Sequence, residues 1–495
     1  MKSLSAIIII TFFFASAFAQ VAGDLDNSFG VGGKVIDWFP GGSTWWGEIT
    51  ATAIQPDGKI LIGGVIRISA LYSDCIVSRY NVDGSIDSSF NGSGWIIVGG
   101  ETSCVVFSLS VQEDWKIVVC EFSDPEYSIK RFSSDGSIDT SFTINSYSNS
   151  FAPTSVGLQS DYKIVAGGSI GPNSVFEIAR YDSNGIIDTS FNSTGFVTTV
   201  IGSASAINSL AIQSDGKIVA AGASYLGANA DFALARYNPN GSLDSSFDQD
   251  GIVTTSVIAT YGINSMSIQP DGKILVSNAK FNYSNDDLYL VRYNSNGTLD
   301  TTFGTDGILD INSFGYTASF ALQADGKIIA AGTTPTYLFA LIGLNNNGTI
   351  DTSFGSNGIT TTDFDGANSV AKCMSIEPDG KIVVAGDNGL IELARYLSSL
   401  NVGIINFSSP QSSTLIYPNP IHQTETLEYT LTKNESLTIA LYDVNGKLIR
   451  NFISNEQRTS GEHKETLNIG ELTSGNYFLT LSNGGEKMSV KIVKQ

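Results

Sequence analysis

Two short motifs alternate along this chain, seven times each, and no other feature narrows its folding choices as much. The first reads apolar-Gln-x-Asp-Gly-Lys-Ile, and its aspartate recurs at Asp57, Asp114, Asp161, Asp215, Asp271, Asp325 and Asp379. The second reads Arg-Tyr-Asn-x-Asn/Asp-Gly-x-Ile/Leu-Asp-x-Ser-Phe, and its phenylalanine recurs at Phe29, Phe90, Phe142, Phe191, Phe247, Phe303 and Phe354. The aspartates are 57, 47, 54, 56, 54 and 54 residues apart. Such a period marks a repeat architecture, in which each unit buries its apolar faces against its neighbours.

The motifs explain their own local structure. Apolar runs at 265–269 and 273–277 flank Asp271-Gly272. Asp-Gly accepts the positive φ of a hairpin turn, so each copy predicts two paired strands. A third strand is expected at 231–237 or 287–293, ending at Asn240-Gly241 or Asn296-Gly297, and a fourth at 195–200 or 251–256. In Leu-Asp-x-Ser-Phe the aspartate caps nearby backbone amides and the phenylalanine anchors the turn in the core. Gly63, Gly167, Ala221, Ser277, Ala331 and Ala385 share one slot, with Cys120 in the same place. That slot predicts inner strands crowding near an axis.

The chain ends complete the argument. Gly23-Asp24-Leu25-Asp26-Asn27-Ser28-Phe29 is an orphan copy of the second motif, and the last copy stops at Arg395-Tyr396 without it. The N-terminal segment therefore supplies what the seventh unit lacks. Four strands per unit and this closure predict an all-β, seven-bladed β-propeller closed by the N-terminal segment. An open solenoid would need polar caps instead.

The alternation of Leu-Asp-x-Ser-Phe with Gln-x-Asp-Gly-Lys-Ile resembles the bacterial delta-60 repeat family over about residues 23–397. That resemblance implies a propeller in an extracellular setting and no shared reaction. Trp115 and Tyr162 replace the turn glycine, and Gly343-Leu344 replaces Arg-Tyr. Altered turns and one lost ion pair are expected there.

After Tyr396 the rhythm breaks. Residues 398–415 read as a linker. In 416–495, Leu427, Tyr429 and Leu431, then Leu437, Ile439 and Leu441, alternate at period two, and further strands are expected at 477–481 and 488–493. This predicts a small C-terminal Ig-like β-sandwich. Tyr417-Pro418-Asn419-Pro420, then Asp443, Asn445, Gly446 and Lys447, then Gly475 and Tyr477, resemble the type A C-terminal sorting domain of the type IX secretion system. The resemblance implies that machinery as a partner. It also implies passage across a Gram-negative outer membrane, ending in release or attachment at the cell surface.

Residues 1–19 fit this route. Lys2, an apolar stretch containing Ile7 to Ile10, and Ala17-Phe18-Ala19 form a secretory signal peptide, leaving 20–397 as the mature propeller. No later segment reaches the ~18 apolar residues of a membrane span. The net charge of −21 disfavours nucleic acid. Four cysteines are too few for a disulfide scaffold, and Cys75 and Cys120 occupy core slots, which predicts buried small hydrophobes.

Chemistry is sparse. The two histidines, His422 and His463, both lie beyond the repeats and read as solvated surface residues, so the propeller has no His-based triad and no His-ligated zinc. Asp87, Asp139, Asp188, Asp244, Asp300 and Asp351 recur once per copy, and are expected to pair with Arg79, Arg131, Arg180, Arg236, Arg292 or Arg395. Gly30-Val31-Gly32-Gly33-Lys34 lacks the Ser/Thr and helix of a phosphate loop. The Asp83 type of loop lacks the bidentate glutamate of a calcium loop. No cofactor is expected beyond a structural calcium ion, which the acidic loops leave open.

Function should then lie in what does not repeat. Trp45 and Trp46, with Trp38 nearby, sit in a Gly-rich connection suited to stacking on a sugar or a partner side chain. Phe281, Tyr283 and Tyr316 are further candidates of that kind. The sequence thus points to a non-catalytic binding module for a glycan or protein ligand. A polysaccharide hydrolase or lyase using propeller carboxylates is the alternative.

Overall fold

The computed structural model describes the chain apart from residues 1–20, 41–46, 70–71, 102, 125, 143, 145–150, 172–173, 227–228, 260–262, 281–286, 312–315, 324, 367, 399–414, 418–423, 432–433, 444–447, 469–471, 473–474, 483–486 and 495. The chain divides into two compact units between Ser398 and Ser399. The named elements are all strands, and among the described residues no helix is long and apolar enough to cross a membrane.

The first unit holds seven antiparallel sheets among the described residues. They begin with Gly47–Ile54, Cys104–Val111, Phe151–Leu158, Ala204–Ile212, Ser265–Ile268, Tyr316–Leu322 and Val370–Ile376. Six have four strands. The second shows three, Cys104–Val111, Ile117–Ser123 and Glu126–Phe132. The seventh takes its edge strand, Lys34–Asp37, from the N-terminal segment, paired with Ile391–Tyr396. Gly23 N–H donates to Leu397 O at 2.7 Å, and Leu397 N–H donates to Asp24 O at 2.9 Å. The orphan motif therefore fills the seventh unit.

Each core is shared by two successive sheets. Leu61, Val77 and Phe90 of the first pack with Val106, Ile117 and Val119 of the second. Val383 and Leu393 of the seventh pack with Ile49, Ile60 and Ile76 of the first. No sheet can bury its faces alone, which is why the repeat must continue until it meets its own beginning.

Both motifs lie at the same end of the sheets, where a relay of arginines links them. Arg236 Nε donates to Asp244 Oδ2 at 2.7 Å, its guanidinium lies 4.6 Å from the Phe247 ring centroid, and its Nη1 donates to Ser295 O of the next sheet. Arg79, Arg131, Arg180 and Arg292 repeat this, reaching Ser134 O, Ser183 O, Pro239 O and Asn346 O. One pairing differs from expectation, and the loss expected at Gly343 is found. Arg395 takes Asp26 of the N-terminal segment as its carboxylate, at 2.9 Å. Asp351 has no arginine, because Gly343 stands there, and pairs with Lys327 at 2.7 Å. A Cβ on Gly343 would come 2.6 Å from the Phe354 Cβ, so Phe354 packs directly against the glycine backbone.

The small slot has a different cause from the one expected. A Cβ on Gly167 would meet Leu210 of the next sheet at 2.7 Å, so that slot receives a neighbour's side chain. Crowding with the inner strand falls one residue later. The first strands of six sheets carry a register slip. The slip turns a carbonyl toward the second strand. A Cβ on Gly168 would stand 1.9 Å from Ala152 O.

Two turns also depart from expectation. Trp115 and Tyr162 leave their turns unaltered. Their amides donate to Gln112 O and Gln159 O at 2.9 Å, as Gly58 does to Gln55 O at 2.8 Å. Their φ angles are 71° and 65°, in the left-handed region that the turn imposes. A side chain there costs ~1–2 kcal/mol.

Cys75 is no isolated core residue: it forms a disulfide with Cys104, joining the third strand of the first sheet to the first strand of the second. The partner was not evident from spacing, because 29 residues separate the two in sequence. Cys120 is a buried free thiol, and burial pushes its pKa well up. The Cys75→Ala/Cys104→Ala variant is expected to lose ~2–4 kcal/mol of stability, seen as a lower urea midpoint. An unchanged midpoint would count against the bridge.

Among the described residues the second unit has two sheets. One contains Leu415–Tyr417, Thr424–Leu431 and Gly461–Asn468, and the other Leu448–Arg458, Glu435–Asp443, Gly475–Ser482 and Lys487–Lys494. Leu427, Tyr429 and Leu431 pack with Leu437, Ile439, Leu441, Tyr477 and Leu479. Strand Leu448–Arg458 carried no alternating signal because most of its residues are exposed. His463 is less solvated than expected: its ring stacks on Tyr429 at 5.1 Å and one nitrogen lies 2.7 Å from Thr459 O.

Candidate functional site

The end of the sheets away from the motifs carries the non-repeated chemistry. It holds the hairpins between second and third strands and the links into each first strand. Trp38, just after strand Lys34–Asp37, is 69% exposed, and its amide is held by Asp37 Oδ1 at 2.8 Å. Trp45 and Trp46 belong to the same link but lie outside the described residues, as do Phe281 and Tyr283. Tyr316 opens the first strand of the sixth sheet. Four further exposed aromatics stand at this end: Tyr72, Tyr127, Tyr225 and Tyr337. Tyr127 stacks on Phe107 at 6.1 Å and leans on Phe122 at 4.7 Å. They were legible as hairpin residues of single repeats, but only the sheet order places them at one end.

At the same end, the seam between the seventh and first sheets gathers four ionisable groups that sequence reasoning missed. Lys372 Nζ lies 2.5 Å from Glu48 Oε1, across the two sheets. Asp387 Oδ2 accepts from Ile49 N–H at 3.0 Å. Glu392 Oε1 accepts from the Ser369 hydroxyl at 3.0 Å, while its Oε2 is buried without a hydrogen-bond partner. Burial pushes the Asp387 carboxyl up to about 6, against the pull of the Ile49 amide and Lys372. Burial likewise pushes Glu392 up to about 7. A carboxyl poised near neutrality is what proton transfer requires. Yet Glu392 is 0% exposed, so only Asp387, Glu48 and Lys372 can meet a solute.

Comparing the copies with one another would have found these residues. Position 392 reads Glu where other copies have Ile76, Ser128, Ala233, Tyr289 and Ala340, and Glu177 is the same departure in the third sheet. Burial pushes Glu177 up to about 7 as well. Glu121 replaces the crowded glycine of the second sheet and is held by Ser128 at 2.5 Å and Lys130 at 2.8 Å. Among the described residues, Cys75, Cys104 and Glu121 are close enough to share a metal ion. The sulfurs are spent on each other and the carboxylate on Ser128 and Lys130, so this set does not offer metal ligands.

Of the sorting-motif residues, Tyr477 is buried in the core of the second unit and pairs with Asp443 across two strands. Gly475 opens Gly475–Ser482, and Tyr417 ends Leu415–Tyr417. Pro418, Asn419, Pro420, Asn445, Gly446 and Lys447 lie outside the described residues.

Comparison with known proteins fits both units. Residues 55–90, 159–191, 213–247, 269–303 and 323–354 match the Domain of unknown function (DUF5122) beta-propeller. Residues 415–495 match the Secretion system C-terminal sorting domain. None of the curated proteins matches significantly. Drosophila Semaphorin 2a is 10% identical with a TM-score of 0.46, covering 93% of this chain and 98% of its own. YCF48 from Cyanidioschyzon merolae is 12% identical with a TM-score of 0.42, covering 73% and 98%. The polysaccharide lyase Uly1 is 11% identical with a TM-score of 0.41, covering 77% and 97%. Likeness at this level says nothing about activity. The family matches do speak: the chain carries five DUF5122 β-propeller repeats and a type IX C-terminal sorting domain that marks it for secretion or the cell surface.

Proposed function

We propose that this is an exported, non-catalytic binding module. The seven sheets are read as seven blades, with the N-terminal segment supplying the outer strand of the last. Residues 1–19 are read as a signal peptide, 20–397 as the propeller, 398–415 as a linker and 416–495 as an Ig-like sandwich. The sandwich engages the type IX machinery, which delivers the chain outside a Gram-negative cell or onto its surface. The ligand is a glycan or a protein.

The observation that carries this reading is the set of exposed aromatic rings at one end, from Trp38 through Tyr72, Tyr127, Tyr225 and Tyr337. Rings of this kind supply large contact area at low entropic cost. A second reading, hydrolysis or elimination on a polysaccharide, is favoured by the raised Asp387 carboxyl beside Lys372 and Glu48.

A glycan array and polysaccharide pull-down with the full chain tests the first reading. Wild type is expected to be retained, and Trp45→Ala/Trp46→Ala to lose at least tenfold in affinity (about 1.4 kcal/mol) with its melting curve unchanged. Equal retention of wild type and variant would remove those tryptophans from the site.

A further inference from the structure

The structure assigns a second binding site to the opposite, motif end: Trp115 and Tyr162, on neighbouring turns, form an aromatic platform for a neutral polysaccharide strand. The argument begins with backbone conformation. Five of the seven Asp-Gly-Lys-Ile turns place glycine at the left-handed position, as in Gly58, Gly216, Gly272, Gly326 and Gly380. The second and third repeats place Trp115 and Tyr162 there, with φ still positive. Folding gains nothing from this choice, because glycine is available and unstrained. Residues held in such a conformation cluster where ligands are clamped.

Their setting supports a ligand. Trp115 is 37% exposed and Tyr162 43%. The two turns belong to successive sheets, and the Tyr162 hydroxyl donates across the gap to Glu113 Oε2 at 3.3 Å. That bond ties the tyrosine to the tryptophan's own turn, so the pair is preorganised. The charges around it choose the ligand. Lys116 lies 3.4 Å from Asp114 and 3.3 Å from Asp139, and Lys163 lies 3.1 Å from Asp161 and 3.4 Å from Asp188, so both ammonium groups are already paired with carboxylates and the rim carries no free cation among these residues. An anionic polymer would meet Glu113 and both aspartates, and a cationic one both lysines. Sugar hydroxyls suit both kinds of group while the ring faces stack on the aromatics. This site is separate from the aromatic end described above.

Affinity electrophoresis of the full chain in gels containing hydroxyethylcellulose, galactomannan, glycogen or alginate tests the assignment. Wild type is expected to be retarded by at least one of the three neutral polymers and not by alginate. Trp115→Gly/Tyr162→Gly, which restores the repeat residue, is expected to lose at least tenfold in affinity. It should melt no lower than wild type, whereas a merely structural role would lower its melting temperature. Retardation of the variant equal to wild type, wild-type retardation by alginate alone, or none by any neutral polymer would overturn the proposal. A chain that ignores all four polymers but is held by a protein ligand would overturn it while leaving the binding-module reading intact. Loss confined to Trp45→Ala/Trp46→Ala would overturn it in favour of the other end.

Discussion

Replacing Arg395 with alanine is expected to lower stability by ~3–5 kcal/mol, the cost of leaving buried charges without their partner. Arg395 is 1% exposed and lies where the two ends of the first unit meet. Its guanidinium donates to Asp26 at 2.9 Å and to Ser28 at 3.1 Å, reaches Val82 O of the first sheet, and lies 3.3 Å from Glu377. It also sits 4.6 Å from the Phe29 ring centroid. Asp26, Ser28 and Phe29 belong to the N-terminal segment, so one side chain couples edge-strand pairing, the turn core and the next sheet. Without it Asp26 keeps one cation, Lys381 at 3.3 Å, beside its hydrogen bonds from the Ser28 amide at 3.0 Å and hydroxyl at 2.7 Å. Arg236→Ala is the control, because inside a continuous repeat it removes the equivalent contacts to Asp244, Ser246, Phe247 and the next sheet's Ser295 O, with Gln213 standing where Glu377 does. Urea unfolding should show the larger loss for Arg395→Ala, and limited proteolysis should cut first in residues 21–37. Equal losses and equal proteolysis would mean that the seam is no weaker than any other junction.

The second large effect is a fall in stability as pH rises through neutrality. Burial pushes Glu177, Glu377 and Glu392 up to about 7, and Asp387 up to about 6. The folded chain therefore holds protons that the unfolded chain has already released. That stability is present below the unfolded values and is lost as pH rises through the folded ones. The shift is worth about 1.4 kcal/mol per unit for each buried group, so the three glutamates together carry several kcal/mol. The motif aspartates act in the other direction. Burial alone would raise Asp188, but hydrogen bonds from Ser190 and the charges of Arg180 and Lys163 hold it near about 2. Asp87, Asp139, Asp244 and Asp300 are held down in the same way. Their contribution disappears as pH falls through the folded values. Maximal stability should therefore lie between about pH 4 and pH 6. Melting curves across that range and up to about pH 8.5 check this, with Glu392→Gln expected to flatten the alkaline limb. A flat profile in wild type would contradict it.

Much of the fold was legible because the motifs are turns. Asp-Gly and Asn-Gly mark where strands reverse, and Phe90 or Phe247 marks what each turn buries, so strand order followed from spacing alone. The orphan Asp26 and Phe29 announced closure for the same reason. What stayed hidden depends on neighbours distant in sequence. Arg79 reaches Ser134 O, 55 residues away, a backbone atom that carries no residue signature. The register slip opposite Gly168 lies in backbone geometry. Glu392 and Glu177 were passed over because attention to the repeated positions hides a single charged residue in a strand slot. The candidate site was less legible than the fold: aromatics at hairpin tips show no period, and only sheet order places Trp38 and Tyr337 at one end.

The most direct test of the account measures retention and turnover together. The full chain is incubated with a panel of neutral and acidic polysaccharides, and bound protein, new reducing ends and unsaturated products are followed in the same samples. Retention without any product, unchanged by Asp387→Asn, is the result expected of a non-catalytic binding module. Product that accumulates with wild type and vanishes with Asp387→Asn would contradict it and identify the seam between the last and first sheets as an active site.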